Sequence, residues 1–152
     1  MDLILWRHAE AEDEAPGGDD LQRALTPRGE KQAARVAAWL DRQLTDGVKI
    51  LCSPALRCEQ TVAPLGRKYK VHSELAPGTS PKAILEAAGW PDAKQPVLVV
   101  GHQPVLGEVA ALLLEARGGF AIRKGAVWWF RSRDRGGEDQ NVLVAAISPD
   151  TV

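Results

Sequence analysis

The chain has 152 residues, of which 45% are hydrophobic and 26% are charged, values typical of a globular domain with a sizeable core. Its net charge of −1 and pI of about 6.3 argue against a general nucleic-acid binder, because such domains are usually strongly basic. The first apolar run is too short for a signal peptide or a membrane span, so we expect a cytoplasmic protein without a membrane partner. Cys52 and Cys58 lack a paired metal-binding or disulfide spacing and are expected to be buried free thiols.

Short apolar runs alternate with helical patterns along the chain. Leu3–Trp6 has no helical period and predicts a buried strand, and the long polar loop Ala9–Gln22 after it points to a function or to mobility. Thr26-Pro27 predicts a helix start, as an N-cap followed by proline at the first helical position. The core face of that helix recurs at Ala33, Val36, Ala37, Leu40 and Leu44.

The middle of the chain repeats this alternation. Val48–Cys52 predicts a second buried strand, and Ser53-Pro54 predicts the cap of a helix that runs to about Tyr69. Tyr69–His72 predicts a short strand, and the helix that begins at Ser80-Pro81 is expected to end near Ala88.

The C-terminal third is predicted to be rich in strands. Val97–Val100 is a fourth buried strand, followed by a helix from about Val105 to Gly118-Gly119. We then expect a hairpin over Phe120–Arg131 with its turn near Lys124-Gly125, another turn at Gly136-Gly137 and a last strand over Val142–Ile147. The order of elements predicts an α/β fold in a single domain, residues 1–152: a three-layer α/β/α sandwich with a mainly parallel central sheet and a β-rich C-terminal extension.

Three of the predicted strands are followed by polar or cationic side chains. His8 follows the first strand, Ser53 and Arg57 follow the second, and His102 follows the fourth. Ligands of open α/β sheets bind outside the carboxyl ends of the strands, so parallel strands would bring these groups to one edge. Arg57, in the first helical turn, and the free N–H groups there would both favour a bound anion. Taken alone, a histidine such as His8 or His102 after a strand more often has a structural role than a catalytic one. An arginine such as Arg57 is, by itself, more often an exposed side chain in solvent.

Four segments carry a resemblance to a known family. Leu5-Trp6-Arg7-His8-Ala9 resembles the Arg-His-Gly signature of the histidine phosphatase (phosphoglycerate mutase-like) superfamily, and its small SixA-type phosphohistidine phosphatases are the most similar branch. The resemblance continues in order through three further segments: Leu25-Thr26-Pro27-Arg28-Gly29 with Gln32-Ala33, Ser53-Pro54-Ala55-Leu56-Arg57-Cys58-Glu59-Gln60-Thr61, and Val100-Gly101-His102-Gln103-Pro104.

The resemblance implies a role for each matching residue. His8 would be the nucleophile that takes the phosphoryl group, and Arg7, Arg57 and His102 would hold the phosphoryl oxygens. Phosphoryl transfer depends mainly on positioning and electrostatic stabilisation, which such a cationic cage supplies. Neighbouring guanidiniums should also keep His8 neutral. The resemblance implies an enzyme that needs no metal or other cofactor, and a phosphorylated substrate, with a phosphohistidine protein as the expected one.

Two features depart from the family pattern. Ala9 replaces the usual glycine, a small-for-small change. The general acid that larger members use on alcohol leaving groups has no clear counterpart: Glu74 is a local candidate, Asp19 and Asp20 are others, and all three could be solvated carboxylates. A leaving imidazole, with a conjugate-acid pKa near ~6.5, needs little help from an acid. Arg23 would contact substrate or pair with Asp20.

Other functions stay open at this point. The same pocket would serve a small-molecule phosphomonoesterase, or a phosphate-binding regulatory domain without turnover; a mutase is disfavoured because the chain lacks the insertions that would enclose its substrate. A metal site near His8, Glu10 and Glu12 lacks ligand spacing. A serine hydrolase built on Ser53 lacks the G-x-S-x-G turn.

Overall fold

A computed structural model describes all residues from Met1 to Val152. Strands and helices alternate through the first three-quarters of the chain, and two long strands follow. The elements are β1 (Asp2–Arg7), α1 (Pro27–Gln43), β2 (Lys49–Cys52), α2 (Leu56–Val62), β3 (Lys70–Val71), α3 (Pro81–Ala88), β4 (Val97–Gly101), α4 (Val105–Leu113), β5 (Val127–Arg135) and β6 (Glu138–Ile147).

One six-stranded sheet organises the molecule, in the order β3-β2-β4-β1-β5-β6. The first four strands of that order are parallel to one another: β2 pairs with β3 and β4, and β4 pairs with β1. The last two strands are antiparallel, β5 to β1 and β6 to β5. This is the expected α/β fold, with its parallel sheet and its β-rich C-terminal extension.

Each face of the sheet is covered by a pair of helices, because successive side chains of a strand point to opposite faces. On one face, Ile4 and Trp6 of β1 pack with residues of α1 and α2. On the other face, Leu3 and Leu5 pack with residues of α3 and α4. The three-layer α/β/α arrangement predicted from the sequence is therefore confirmed.

Helix starts follow the predicted capping chemistry at two places. Thr26 caps α1 by accepting a hydrogen bond from the Gly29 N–H, and Ser80 caps α3 by accepting one from Ala83. The third predicted cap, Ser53, is wrong: Ala55 is the N-cap of α2, and the Ser53 hydroxyl accepts from the Ala55 N–H before the helix begins.

Two helices are shorter than the sequence predicts. The α2 helix ends at Val62, not near Tyr69, because Pro64 follows in a 3-10 turn and Gly66 takes a left-handed conformation with φ 67°. The α4 helix ends at Leu113, not at Gly118, because Glu115 also enters the left-handed region with φ 54°.

The predicted hairpin over Phe120–Arg131 is wrong. The segment before β5 runs past the end of β1, where its backbone bonds to the strand end: Ala126 O accepts from Arg7 N and Gly125 N donates to His8 O. It therefore has no strand partner of its own. The hairpin lies one turn later, between β5 and β6, at the predicted glycine turn Gly136-Gly137, and β6 begins earlier than predicted.

The apolar residues of β5, before the Gly136-Gly137 turn, contribute to the hydrophobic core. Trp129 is nearly buried and Phe130 is fully buried, as expected from their position in a strand. None of the helices is both long and apolar enough to cross a bilayer.

Candidate active site

The ends of β1 and β4 place two imidazole rings side by side. His8 follows β1 and His102 follows β4, and because these strands are adjacent and parallel the ring centroids lie 5.4 Å apart. Arg57, at the start of α2 after β2, reaches the same place, with its Nη2 3.5 Å from His102 Nδ1. The structure thus brings together the three groups that the strand ends predicted.

The His8 ring is held in one orientation by its own backbone. Its Nδ1 lies 2.8 Å from the Ala9 carbonyl oxygen, an acceptor only, so the ring proton sits on Nδ1 and donates to that oxygen. Ala9 is fixed in turn, because its N–H donates to the Thr61 hydroxyl at 3.0 Å. His8 Nε2 consequently keeps a free lone pair, the form that a nucleophilic imidazole requires.

The His102 ring is held from the other side by a buried hydroxyl. Ser53 Oγ lies 2.7 Å from His102 Nε2, and Cys58 Sγ lies 3.5 Å from the same nitrogen. Ser53 has no solvent-exposed surface, so it cannot meet a substrate and the serine hydrolase alternative fails. Burial raises the pKa of the Cys58 thiol to about 12, which keeps it protonated and unreactive.

Two guanidiniums contribute charge beside the histidines. Arg7 uses Nη1 to donate to the Ile122 carbonyl at 2.9 Å, while its Nε is buried without a partner. Arg57 is almost completely buried, and its Nε is also unpaired. Buried polar atoms are normally paired, so these two Nε–H groups are exceptions that lie beside the histidines.

Arg57 and Arg23 share one carboxylate, that of Asp20. Arg57 Nη2 donates to Asp20 Oδ2 at 3.1 Å, Arg57 Nη1 donates to the Asp20 carbonyl at 2.8 Å, and Arg23 Nε donates to Asp20 Oδ1 at 2.9 Å. The predicted pairing of Arg23 with Asp20 is therefore present. Three guanidiniums (Arg7, Arg23 and Arg57) and one carboxylate leave a net charge of +2, which matches a phosphoryl dianion.

Both histidines are neutral at physiological pH. Burial, opposed by the Ala9 hydrogen bond and helped by the charges of Arg57, Arg7 and Arg23, lowers the pKa of His8 to about 4. Burial, together with His8 and Arg57, lowers the pKa of His102 to about 3. Desolvation and nearby positive charge both disfavour the imidazolium form, so His8 keeps its lone pair available across the neutral range.

Comparison with known proteins shows the family of the chain. A family model described as the histidine phosphatase superfamily (branch 1) matches residues 3–79. The chain belongs to this superfamily. The phosphohistidine phosphatase SixA of Escherichia coli is 31% identical over 122 residues, which cover 74% of each chain. The chain is a hydrolase of the histidine phosphatase superfamily.

Solved structures of the superfamily share the fold. The protein histidine phosphatase SixA in complex with tungstate superposes with a TM-score of 0.75 at 26% identity, covering 99% of this chain and 98% of that chain. A phosphoserine phosphatase of Entamoeba histolytica, an H9A mutant bound to phosphoserine, superposes with a TM-score of 0.72 at 18% identity, covering 99% of this chain and 98% of the other. At that identity the second likeness concerns the fold alone.

The carboxylates considered as acids separate into different roles. Glu74 is exposed in a 3-10 turn after β3, with β2 and β4 between that edge strand and β1, and it makes no side-chain hydrogen bond to the four residues of the histidine phosphatase motif. Asp19 is used locally, accepting from the Leu21 N–H. Of the three carboxylates, only that of Asp20 contacts a residue of the site, through its hydrogen bond from Arg57. Partial burial opposes its ionisation, but the hydrogen bond and charge of Arg57, together with Arg23, lower the pKa of Asp20.

Three contacts of the site were not predicted. The sequence predicts Ser53 as a helix cap, whereas its hydroxyl contacts His102. Thr61 links the first and third of the four family segments, since it accepts from Ala9 N and donates to Arg57 O at 2.7 Å. Its position four residues after Arg57, on the same helix face, was an available signal. Nothing in the acidic loop distinguished Asp20 as the partner of Arg57.

No cluster of histidine, cysteine, aspartate and glutamate side chains in the structure is arranged to hold a metal ion. His8, Glu10 and Glu12, weighed above as an alternative metal site, are not such a cluster: Glu10 accepts a hydrogen bond from the Thr26 hydroxyl, and the Glu12 carbonyl accepts one from Arg23.

Proposed function

We propose that the chain is a phosphatase that removes the phosphoryl group from phosphohistidine in proteins, through a covalent intermediate on His8. The observation that carries this proposal is the His8 ring, which is neutral, fixed through Nδ1 and free at Nε2, beside the guanidiniums of Arg7 and Arg57. The similarity to SixA supports phosphohistidine as the substrate class.

The first step moves the phosphoryl group between two imidazoles. His8 Nε2 attacks phosphorus, the P–N bond of the substrate breaks, and its electron pair returns to the substrate ring. That ring leaves as neutral imidazole when its other nitrogen carries the proton. Arg7, Arg57 and His102 hold the phosphoryl oxygens while charge develops there, which is the main way in which proteins accelerate this reaction.

The second step restores the enzyme. Water attacks phosphorus, the bond between phosphorus and His8 Nε2 breaks, and dihydrogen phosphate leaves with both protons of the water. The proton stays on His8 Nδ1, which donates it in a hydrogen bond to the Ala9 carbonyl oxygen throughout, so the ring returns to the same tautomer.

The state of Asp20 favours a substrate whose leaving group needs no acid. Its carboxylate is bonded to both Arg57 and Arg23, and its lowered pKa keeps it anionic at neutral pH. An alcohol leaving group needs a proton from the enzyme as its bond breaks. An imidazole whose other nitrogen already carries a proton leaves as a neutral ring, with a conjugate-acid pKa near ~6.5, and needs no proton from the enzyme. Phosphohistidine therefore suits this pocket better than a phosphomonoester.

The Ser53 hydroxyl contacts one ring nitrogen of His102 and can therefore set the tautomer of that ring. When that hydroxyl donates to His102 Nε2, the ring proton lies on Nδ1, the nitrogen nearer Arg57. That N–H is then available to a phosphoryl oxygen. Ser53 is in this proposal a positioning residue, since it acts on the substrate only through His102.

The test is turnover of a defined substrate panel by the wild type and by His8→Ala. We expect wild-type protein to hydrolyse a phosphohistidine protein with a higher kcat/KM than p-nitrophenyl phosphate, sugar phosphates or phosphoserine. His8→Ala should abolish turnover and the acid-labile phosphoenzyme, while His72→Ala, which changes the third histidine, should retain both.

Each contrary result has a distinct meaning. A preference for a small metabolite would favour the phosphomonoesterase alternative. Phosphate binding without turnover of any ester or phosphoramidate would favour a regulatory domain. Substantial activity in His8→Ala would remove His8 as the nucleophile.

A cytoplasmic location remains our prediction, supported by two buried free thiols.

A further inference from the structure

Asp20 occupies both terminal nitrogens of Arg57, one through its carboxylate and the other through its main-chain carbonyl. Arg57 Nη1 and Nη2 both donate to Asp20, one to its main-chain oxygen at 2.8 Å and the other to Oδ2 at 3.1 Å. Two parallel N–H···O bonds from one guanidinium are the usual way in which arginine recognises phosphate. The free enzyme thus carries an internal anion on one of its phosphate-binding groups.

The donors that Asp20 takes are the ones that a ligand can reach. The Arg57 side chain is only 4% exposed and its Nε is buried without a partner, whereas the Asp20 side chain is 59% exposed. Asp20 therefore covers the open end of Arg57 from the solvent side. A phosphoryl group that binds both Nη atoms has to displace it.

The surroundings of Asp20 leave room for that displacement. Asp20 and Arg23 line an open recess of about 510 Å³ together with Asp13, Glu14 and the loop glycines. Gly17 and Gly18 both have positive φ, and no atom lies within 4 Å of the position of a Cβ on either. The loop can therefore change conformation there without breaking side-chain packing.

We propose that Asp20 is a specificity-determining residue, an internal competitor that lowers the affinity of the site for free phosphate and for small phosphate esters. The inference rests on the proposed function for the location of the phosphoryl pocket. A small ester offers only its phosphoryl group to offset the loss of the contacts between Asp20 and Arg57. A phosphorylated protein also covers the loop, and its additional contacts offset that loss.

The first test measures binding without turnover. We compare the dissociation constants of inorganic phosphate and tungstate for wild type, Asp20→Asn and Asp20→Ala by titration calorimetry. Loss of one exposed competing charge should tighten binding by about three- to five-fold, the equivalent of an exposed ion pair. Asp13→Asn removes the same charge from the same recess without an Arg57 contact and should bind like the wild type. Unchanged or weaker binding in both Asp20 variants overturns the inference, since weaker binding means that Asp20 only positions Arg57.

The second test measures selectivity. Asp20→Asn should raise kcat/KM for p-nitrophenyl phosphate, through a lower KM, by a larger factor than for a phosphohistidine protein. An equal change for both substrates overturns the specificity role. Failure of the proposed function is a separate result, because it shows as absent phosphohistidine turnover in the wild type, whereas the binding measurement needs no turnover.

Discussion

Stability between pH 7 and pH 5 should depend on the two histidines of the site. Their pKa values in the folded protein, about 4 for His8 and about 3 for His102, both lie below the ordinary value of 6.5. The unfolded chain therefore binds more protons than the folded chain throughout this interval. By linkage, the free energy of unfolding falls as the pH falls from 7 to 5.

The size of the effect follows from the two shifts. At pH 5 an unfolded histidine is almost fully protonated, whereas His8 and His102, 8% and 5% exposed, are still mostly neutral. Each contributes about 2 kcal/mol to the difference between pH 7 and pH 5, and the pair about 3–4 kcal/mol. The carboxyls of Asp2 and Asp20, whose pKa values are lowered, add little here, because their contribution is lost only near and below pH 4.

Urea unfolding at the two pH values measures this difference. The wild type should lose about 3–4 kcal/mol, and His8→Asn or His102→Asn about half of that, since each variant removes one titrating ring. His72→Asn serves as the control and should keep the wild-type loss. If the wild type loses less than about 1 kcal/mol, or if both site variants keep the full loss, the argument that burial holds these rings neutral is refuted.

Two further predictions concern activity. Ser53→Ala should lower kcat/KM by about 10- to 100-fold, because the His102 ring loses the buried hydrogen bond that sets its tautomer. Steady-state kinetics of the folded variant checks this. A variant as active as the wild type would show that His102 needs no partner. Activity should persist in the presence of a chelator, because the guanidiniums supply the positive charge; loss of activity that added metal restores would contradict this.

The general layout of the site was predictable because it depends on strand direction. Short apolar runs that alternate with helices indicate a parallel sheet, and parallel strands bring the residues after their carboxyl ends to one edge. His8, Arg57 and His102 could therefore be placed together before any side chain was positioned. The same reasoning does not separate Glu74 from the site, because β3 is parallel to β2 and lies next to it. Only the side-chain positions show that Glu74 makes no hydrogen bond to His8, Arg57 or His102.

The contacts within the site could not be predicted in the same way. Whether the Ser53 hydroxyl bonds to its own helix or to His102 depends on where α2 begins, and a shift of two residues decides it. The hairpin prediction failed for a related reason. Turn residues Lys124-Gly125 do form a bend, but Ile122 O and Gly125 N are used by Arg7 and His8, and a local sequence pattern does not reveal long-range partners.

The position of β1 in the sheet has a consequence for folding. This strand lies between β4 and β5, which are both far from it in sequence. Its last residue, Arg7, is paired with Gly101 of β4. Parallel pairing over such separations forms late, because the loop-closure entropy has to be overcome first. Phosphate should consequently bind only the completed fold, so that an oxyanion ligand raises the melting temperature of the whole chain with its concentration and reports folding and site assembly as one event.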